Sequence, residues 1–211
     1  MPTEPTTEIL VVRHAQSVWN AVGRWQGWAD PPLSAWGQAQ AHEAGRRLSV
    51  DAPFDAVVSS DLRRARRTAE LVTSEAAGPR IVEIYPQLRE HCVGEWSGLS
   101  RDEIDRRWPG QVEQWRRGDL DASPGGERRP DFEGRLLSGI RSVAADHPGQ
   151  RVLVVSHGGA IRSISRLAGG ELHHIEHLAG CWLRVVGDAP AVDRVVSVLG
   201  GPSSRPLPSE P

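Results

Sequence analysis

The pattern of apolar positions along the chain predicts an α/β fold. Two runs of branched apolar residues, at 9–12 and 152–155, do not alternate with polar positions. Unbroken runs of this length are typical of short strands buried on both faces of a parallel sheet. Further short apolar stretches predict additional strands, of which the last two are candidates for antiparallel pairing. These stretches lie at 55–59, 81–84, 182–186 and 192–199.

Helical periodicity fills the intervals between these strands. Ser34 is predicted to begin a helix that runs to about Leu48, and Asp61 is predicted to cap the next helix. Two more helices are expected at 131–146 and 160–168. Strands that alternate with helices in this way favour a three-layer αβα sandwich with a mostly parallel central sheet.

Two segments depart from this alternation. Residues 18–33 are dense in Trp, Gly and Pro and are predicted to form a loop that carries specific side chains. Residues 91–129 contain two short helical patterns, near 101–108 and 111–117, followed by a turn-rich stretch. We predict that this part, called the lid segment below, is a small helical insertion over the sheet. The chain then forms a single domain over 1–199, with a disordered proline-rich tail at 200–211.

Composition narrows the chemistry. The 211 residues carry a net charge of −2, which gives no general attraction for nucleic acid or an anionic membrane. All 25 basic residues are Arg, so neither a Schiff-base lysine nor a P-loop lysine exists here. Cys92 and Cys181 are too few for a disulfide framework and lack zinc-ligand spacing. With no signal-like or long apolar segment at the start, we expect a cytoplasmic protein.

Two strand-histidine units point to a binding site. Arg13 and His14 follow the first apolar run, and His157 with Gly158 and Gly159 follows the second. If the strands are parallel neighbours, both imidazoles emerge in the crevice beyond the strand ends, where ligands bind in open α/β sheets. Glycines at a helix N-terminus expose N–H groups that attract anions. This combination indicates a phosphate site; a metal site is the runner-up, but no carboxylate lies at ligand spacing.

Several separate motifs follow one another along the chain. In chain order they are Arg13-His14-Ala15-Gln16-Ser17, Asn20 with Gln26-Gly27, Ser59-Ser60-Asp61-Leu62-Arg63-Arg64-Ala65, Leu88-Arg89-Glu90 with Gly94-Glu95-Trp96-Ser97-Gly98, Pro124-Gly125-Gly126-Glu127, and Val154-Val155-Ser156-His157-Gly158-Gly159. Together these motifs resemble the histidine phosphatase superfamily, the phosphoglycerate mutase-like group that works through a phosphohistidine, over roughly residues 8 to 200.

Four positions depart from the family pattern. Ala15 replaces the usual Gly after the nucleophile, and Gln16 replaces the usual acid. Arg128 stands where Ser is frequent, and Gly180 where Asn is common. A positive φ at Ala15 would be costly for a residue with a Cβ, whereas a negative φ makes the substitution harmless. These departures concern the shape of the pocket and the substrate, since none removes a catalytic group.

The resemblance implies a role for each motif residue. His14 attacks phosphorus and carries the phosphoryl group, while Glu90 protonates the leaving oxygen and then takes a proton from water. Three further residues, Arg13, Arg64 and His157, bind the phosphoryl oxygens. Substrate contacts are expected from Asn20, Gln26, Gly27 and Gly158.

Physics alone leaves alternatives to some of these assignments. Spacing does not choose among the four arginines at 63, 64, 66 and 67, which share one helix. Glu90 also fits an ordinary surface acid in an irregular loop. Three further histidines, His173, His174 and His177, fit the solvated face of a helix better than a metal site.

The expected function is a metal-independent phosphatase that hydrolyses a small phosphomonoester through phospho-His14, without a cofactor. The alternatives are a bisphosphoglycerate-dependent phosphoglycerate mutase and a phospho-ligand binding module without turnover. A lid segment of only about forty residues favours the phosphatase, because mutases of the family usually carry a longer one. The expected partner is a small phosphorylated metabolite, with no nucleic acid or membrane, and a homodimer is left open.

Overall fold

A computed structural model describes residues 5–49, 53–76, 78–172 and 174–199, so the expected tail at 200–211 lies outside the described residues. Its centre is a six-stranded sheet in the order β3-β2-β4-β1-β5-β6. The strands are β1 (Thr6–Arg13), β2 (Ala56–Ser59), β3 (Val82–Ile84), β4 (Arg151–Ser156), β5 (Ala179–Val186) and β6 (Ala189–Ser197).

The sheet is mixed, with a parallel block and an antiparallel edge. β1 pairs with β4, and β2 pairs with both β4 and β3, all in parallel. β5 runs antiparallel to β1 and to β6. The prediction that the two apolar runs are parallel neighbours is therefore confirmed, as is the antiparallel closing pair.

Helices cover both faces of the sheet and make the three layers that the sequence predicts. Ile9 and Val11 of β1 belong to one apolar cluster with two of the helices, and Leu10 and Val12 belong to a second cluster on the opposite face. The helices are α1 (Val18–Ala21), α2 (Ala35–Leu48), α3 (Arg63–Glu75), α4 (Arg101–Arg107), α5 (Gln111–Arg117), α6 (Arg129–Asp146) and α7 (Gly158–Leu167). The first cluster takes in α6 and α7, and the second takes in α2 and α3. Within the described ranges, no helix has the length and apolarity to cross a membrane.

The lid segment has a small apolar core of its own. Its buried residues are Val93, Trp96, Ile104 and Val112. The partly buried Trp25 and Trp115 pack against this cluster. The two short helices predicted in this segment are present as α4 and α5. A separate core explains how the segment keeps its shape beside the sheet.

Two local predictions are wrong. Residues 18–33 are not all loop, because Ser17 caps the four-residue helix α1 through a capping box with Asn20. Asp61 does not cap α3 through its side chain; its carboxylate binds Arg89, and the carboxylate of Asp30 accepts the N–H of Arg63 instead. The cap comes from a distant loop, so no local sequence signal marks it.

Candidate active site

The register of the sheet brings the two strand-end histidines together. Arg13 lies opposite Ser156 in the β1–β4 ladder, and the N–H of His14 donates to the carbonyl of Ser156 at 2.9 Å. The centroids of the His14 and His157 rings are consequently 5.2 Å apart, in an edge-on arrangement. Parallel strands that end in the same register therefore build half of the site from backbone geometry alone.

The hydrogen bonds of His14 determine which ring nitrogen is free to react. Its Nδ1 lies 2.7 Å from the carbonyl oxygen of Ala15, which can only accept, so Nδ1 carries the proton. Its Nε2 accepts a hydrogen bond from Nε of Arg64 at 3.2 Å and holds the lone pair. Burial, reinforced by Arg64 and His157, keeps the pKa of His14 well below its usual 6.5. The imidazole is thus neutral, with Nε2 unprotonated.

Arg64 is the one buried arginine in the first turns of α3. Its Nη1 and Nη2 donate to the carbonyls of Ala29 and Gly27, at 2.7 and 2.8 Å. Arg66 and Arg67, on the same helix, lie exposed and pair with Glu70. Burial lowers the pKa of Arg64 to about 10, so the guanidinium stays charged at neutral pH. A cation is therefore fixed directly beside the free nitrogen of His14.

Arg13 supplies a second, half-buried cation at the end of β1. Its Nη1 donates to the carbonyl of Ile175 at 2.8 Å, whereas its Nε is buried without a hydrogen-bond partner in the described structure. Burial lowers the pKa of Arg13 to about 10, and Glu90 opposes this effect. A buried donor without a partner is expected to bind a ligand oxygen.

His157 is fully buried at the N-cap of α7 and presents one open nitrogen. Its Nε2 lies 2.7 Å from the hydroxyl oxygen of Ser60, and its Nδ1 is buried without a partner in the described structure. Burial, followed by the charge of Arg64, holds the pKa of His157 well below 6.5. If Ser60 donates to Nε2, then Nδ1 carries the proton that an anion can accept.

Glu90 faces the same space from a loop between β3 and α4. One carboxylate oxygen accepts the N–H of His91 at 2.8 Å, and the other accepts the N–H of Gly159, in the first turn of α7, at 2.9 Å. Gly159 leaves room for this contact, because a Cβ at that position would lie 2.2 Å from a carboxylate oxygen of Glu90 and would displace it. The carboxylate is therefore held against the helix that begins after His157.

Four of these side chains, Arg13, His14, Arg64 and Glu90, line a cavity of about 810 Å³. His157 is fully buried and is not among the lining residues, although its ring centroid lies 5.2 Å from that of His14. A neutral nucleophilic nitrogen and two guanidinium groups at the cavity wall suit an anion with several oxygens. Glu90 adds a carboxylate that can carry a proton. In the described part of the chain, no three or more His, Cys, Asp or Glu side chains are grouped to hold a metal ion.

Comparison with known families agrees with this geometry. The sequence profile described as the histidine phosphatase superfamily (branch 1) matches residues 9–189. The chain belongs to this superfamily. Among curated relatives, a metal-independent phosphoserine phosphatase of Arabidopsis thaliana is 36% identical over 75% of this chain and 67% of that protein. A 2,3-bisphosphoglycerate-dependent phosphoglycerate mutase of Methylobacterium radiotolerans is 40% identical over 77% of this chain and 79% of its own length.

Solved structures of a phosphatase and of a phosphoglycerate mutase share the fold. A mycobacterial glucosyl-3-phosphoglycerate phosphatase, solved with VO3, superposes with a TM-score of 0.75 at 28% identity. The match covers 90% of this chain and 97% of that one. A phosphoglycerate mutase from Bacillus anthracis gives a TM-score of 0.79 at 26% identity, over 92% of this chain and 94% of its own. The α/β fold and the family resemblance that the sequence predicts are confirmed.

The four substrate contacts expected from the superfamily resemblance all lie on the cavity wall: Asn20, Gln26, Gly27 and Gly158. The hydroxyl oxygen of Ser17 lies 3.0 Å from the amide oxygen of Asn20 and 2.9 Å from that of Gln26, and it donates its one proton to this pair of acceptors. Gly27 has a positive φ of 50°, and a Cβ there would lie 2.7 Å from the side chain of Val93. The loop after His14 is thus shaped by Ser17 and Gly27, and its substrate contacts stay predictions.

Ala15, the residue that departs from the family pattern beside the nucleophile, fits without strain. Leu178 is the non-glycine residue with a positive φ among the described ones, so Ala15 lies outside the left-handed region. Ala15 is fully buried, and its N–H donates to the hydroxyl of Thr68 at 3.1 Å. The substitution is therefore harmless to the backbone.

His177 is a site neighbour that sequence reasoning placed wrongly. It does not lie on a solvated helix face; its ring is half-buried, 6.1 Å from the His14 ring centroid, in a non-helical turn. The segment is held to the site because Ile175 accepts from Arg13 and Leu178 donates to the Arg13 carbonyl. Burial and the charge of Arg13 lower the pKa of His177 to about 3. His174 lines the cavity, and His173 lies outside the described residues.

Two further residues near Glu90 were also missed. The indole N–H of Trp28 donates to the carbonyl of Glu90 at 2.8 Å, and Arg135 of α6 donates to the same carbonyl at 2.8 Å. Backbone carbonyls leave no residue-type signature, so the sequence gives no sign of either contact. The Trp-rich composition of 18–33 was the available hint for Trp28.

Proposed function

We propose that the protein is a phosphatase that hydrolyses a small phosphomonoester through a phosphohistidine at Nε2 of His14. Two contacts of His14 carry this proposal: Nδ1 lies 2.7 Å from the carbonyl oxygen of Ala15, and Nε2 accepts from Nε of Arg64 at 3.2 Å. An unprotonated Nε2 can attack a phosphoryl group when Arg64 moves its N–H donor from this nitrogen to a phosphoryl oxygen.

The first half-reaction transfers the phosphoryl group to the protein. Nε2 of His14 forms a bond to phosphorus as the ester P–O bond breaks, and Arg13, Arg64 and His157 hold the equatorial oxygens. Glu90 gives its proton to the leaving alkoxide. The alcohol then departs, leaving phospho-His14 and an ionised Glu90.

The second half-reaction returns the protein to its starting state. Glu90 takes a proton from a water molecule as the water oxygen bonds to phosphorus and the P–Nε2 bond breaks. Inorganic phosphate leaves, with Glu90 protonated and His14 neutral again. No step of the proposed cycle uses a metal ion, and the name of the Arabidopsis relative describes that enzyme as metal-independent.

A phosphoglycerate mutase is the second candidate, and the outer cavity wall favours it. Arg116 of the lid segment and Arg162 of α7 line the cavity, and neither forms an ion pair in the described structure. Unpaired guanidinium groups suit a substrate with a second anionic group. In a mutase, phospho-His14 would pass its phosphoryl group to another hydroxyl of the substrate instead of to water.

Phosphate release in the presence of EDTA tests the proposal. We expect the wild-type protein to release phosphate from p-nitrophenyl phosphate and from members of a panel of sugar, amino-acid and glycerate phosphates. His14→Ala should abolish release, and His42→Asn, at an exposed histidine paired with Glu75, should not affect it. Conversion of 3-phosphoglycerate to 2-phosphoglycerate that needs a bisphosphorylated primer, without net release, would instead identify a mutase. Phosphate binding without any turnover would indicate a binding module.

A further inference from the structure

Arg135 binds the segment that carries Glu90 with every donor it has. Its Nη1 donates to the carbonyls of Gln87 and Arg89, both at 2.8 Å. Its Nη2 donates to the carbonyl of Glu90 at 2.8 Å and to one carboxylate oxygen of Glu127 at 2.8 Å, and its Nε donates to the other at 2.7 Å. A guanidinium has five N–H donors, and here each has its own acceptor.

Glu127 secures the other side of the same segment. Beyond its two bonds to Arg135, its carboxylate accepts the N–H of Cys92 at 3.3 Å. Its backbone carbonyl accepts from Nε2 of His91 at 2.7 Å, and its N–H donates to the carbonyl of Cys92 at 2.9 Å. Arg135 thus holds residues before and at Glu90, and Glu127 holds the two residues after it.

This segment depends on such partners because it has little regular structure. Residues 85–93 contain a single 3₁₀ turn, Pro86–Leu88, and no strand or α-helix. Loop carbonyls that are removed from water need donors, or the loop moves to find them. The Arg135–Glu127 pair is itself largely shielded, with 19% and 13% of the two side chains exposed.

We propose that Arg135, together with Glu127, is a positioning residue that sets where Glu90 meets the substrate oxygen. This inference rests on the proposed role of Glu90 as the proton donor. A lysine cannot replace Arg135, because an ammonium has three donors and no fork for a carboxylate. The charge of Arg135 also reaches the pocket, where it contributes to lowering the pKa of His157.

A dependence on the leaving group separates positioning from a merely structural role. An alkyl phosphate such as glycerol 3-phosphate needs a proton on its leaving oxygen, whereas p-nitrophenolate leaves without one. In Arg135→Lys, we expect single-turnover phosphorylation of His14 by glycerol 3-phosphate to fall about 10²-fold, as for a group displaced by about 1 Å. The burst of p-nitrophenolate should fall much less. Glu127→Gln should show the same pattern.

The matched control is Arg141→Lys. Arg141 lies on α6 as well, but it is exposed and binds Asp188 far from the loop of Glu90. Both rates should stay at the wild-type level in this variant. An equal fall for the two substrates in Arg135→Lys would show that the residue only supports the fold and would overturn the inference.

Amide hydrogen exchange tests the inference by a measurement that needs no turnover. We expect faster exchange in Arg135→Lys confined to residues 88–92, with the amides of β1 and β4 unchanged. If the wild-type protein turns over neither substrate, the proposed function fails, and the exchange data alone decide whether Arg135 positions the segment. Unchanged exchange at residues 88–92 would overturn the inference.

Discussion

Nε of Arg64 lies 3.2 Å from Nε2 of His14 and donates its N–H to that unprotonated ring nitrogen. The contact keeps a proton off Nε2, because a protonated nitrogen and a guanidinium would present two donors to each other. It also prevents the ring from turning, because Nδ1 is bound to Ala15 at the same time. One arginine therefore sets both the charge and the orientation of the proposed nucleophile.

Replacement of Arg64 by lysine tests this relationship. Arg64→Lys keeps a positive charge but loses the fork that joins His14 to the carbonyls of Gly27 and Ala29. We expect kcat/KM for p-nitrophenyl phosphate to fall about 10²- to 10³-fold, as when one preorganised donor is removed. Arg66→Lys, at the exposed neighbour that pairs with Glu70, is the control and should retain wild-type kinetics. Wild-type kcat/KM in Arg64→Lys would contradict the role.

Gly159→Ala should displace the proposed proton donor without unfolding the protein. The added Cβ would lie 2.2 Å from the Glu90 carboxylate, so the carboxylate must move and lose the N–H of residue 159. We expect kcat with glycerol 3-phosphate to fall by about 10²-fold or more. The control Gly134→Ala, in α6 where a Cβ meets nothing within 4 Å, should raise the free energy of unfolding by about 0.5–1 kcal/mol. Undiminished kcat in Gly159→Ala would argue against Glu90.

Stability should fall on acidification because three histidines are held neutral in the folded state. The folded pKa values of His14, His157 and His177 all lie below 6.5, so below that pH the unfolded chain binds more protons. The free energy of unfolding then decreases as pH falls, by up to about 1.4 kcal/mol per pH unit for each histidine. For His177 the loss continues down to a pH of about 3.

Urea unfolding between about pH 7 and about pH 5 measures this slope. In His177→Gln, which lacks an imidazole to protonate, the slope should be smaller than in the wild-type protein by up to about 1.4 kcal/mol per pH unit. A variant with the wild-type slope would show that His177 accepts a proton in the folded state.

At Leu178, a glycine variant should be more stable than an alanine variant, which is the reverse of the usual order. It is buried, yet its φ is +59°, in the left-handed region that only glycine adopts freely. Loss of the side chain costs about 2–5 kcal/mol in both variants, but Leu178→Gly also removes strain of about 1–2 kcal/mol. We therefore expect Leu178→Gly to unfold at a higher urea concentration than Leu178→Ala. At the buried Leu183 of β5, the alanine variant should be the more stable one.

Much of the sheet and half of the site follow from the sequence because they depend on local patterns. The apolar runs in β1 and β4 do not alternate with polar residues. Both strands end at the residue directly before a histidine. Once the strands are parallel neighbours, the proximity of His14 and His157 needs no further information. The position of Glu90 is less local, since it depends on a loop that Gly159 and Arg135 hold from other elements.

The remaining features were out of reach because their partners are backbone atoms far along the chain. Spacing could not distinguish Arg64 from its neighbours on α3, since the carbonyls of Gly27 and Ala29 that it binds have no side-chain signature. The sequence has no local signal for two other features for the same reason. These are the cap of α3 by Asp30 and the turn that brings His177 to His14. Helical periodicity detects which face is apolar, and it does not detect a buried cation.

The pairing of Arg13 with Ser156 also affects how such a protein can change over generations. Side chains alternate between the two faces of a sheet, so a one-residue slip of β1 against β4 would turn the apolar residues of that strand to the wrong layers and separate the two imidazoles. An insertion or deletion of one residue in either strand is therefore expected to abolish the activity proposed for His14. The lid segment, with its separate apolar core of Val93, Trp96, Ile104 and Val112, can lengthen or shorten without altering that register. A change in the length of that segment can therefore alter the cavity wall, which includes Trp115 and Arg116, while His14 and His157 keep their places in the sheet.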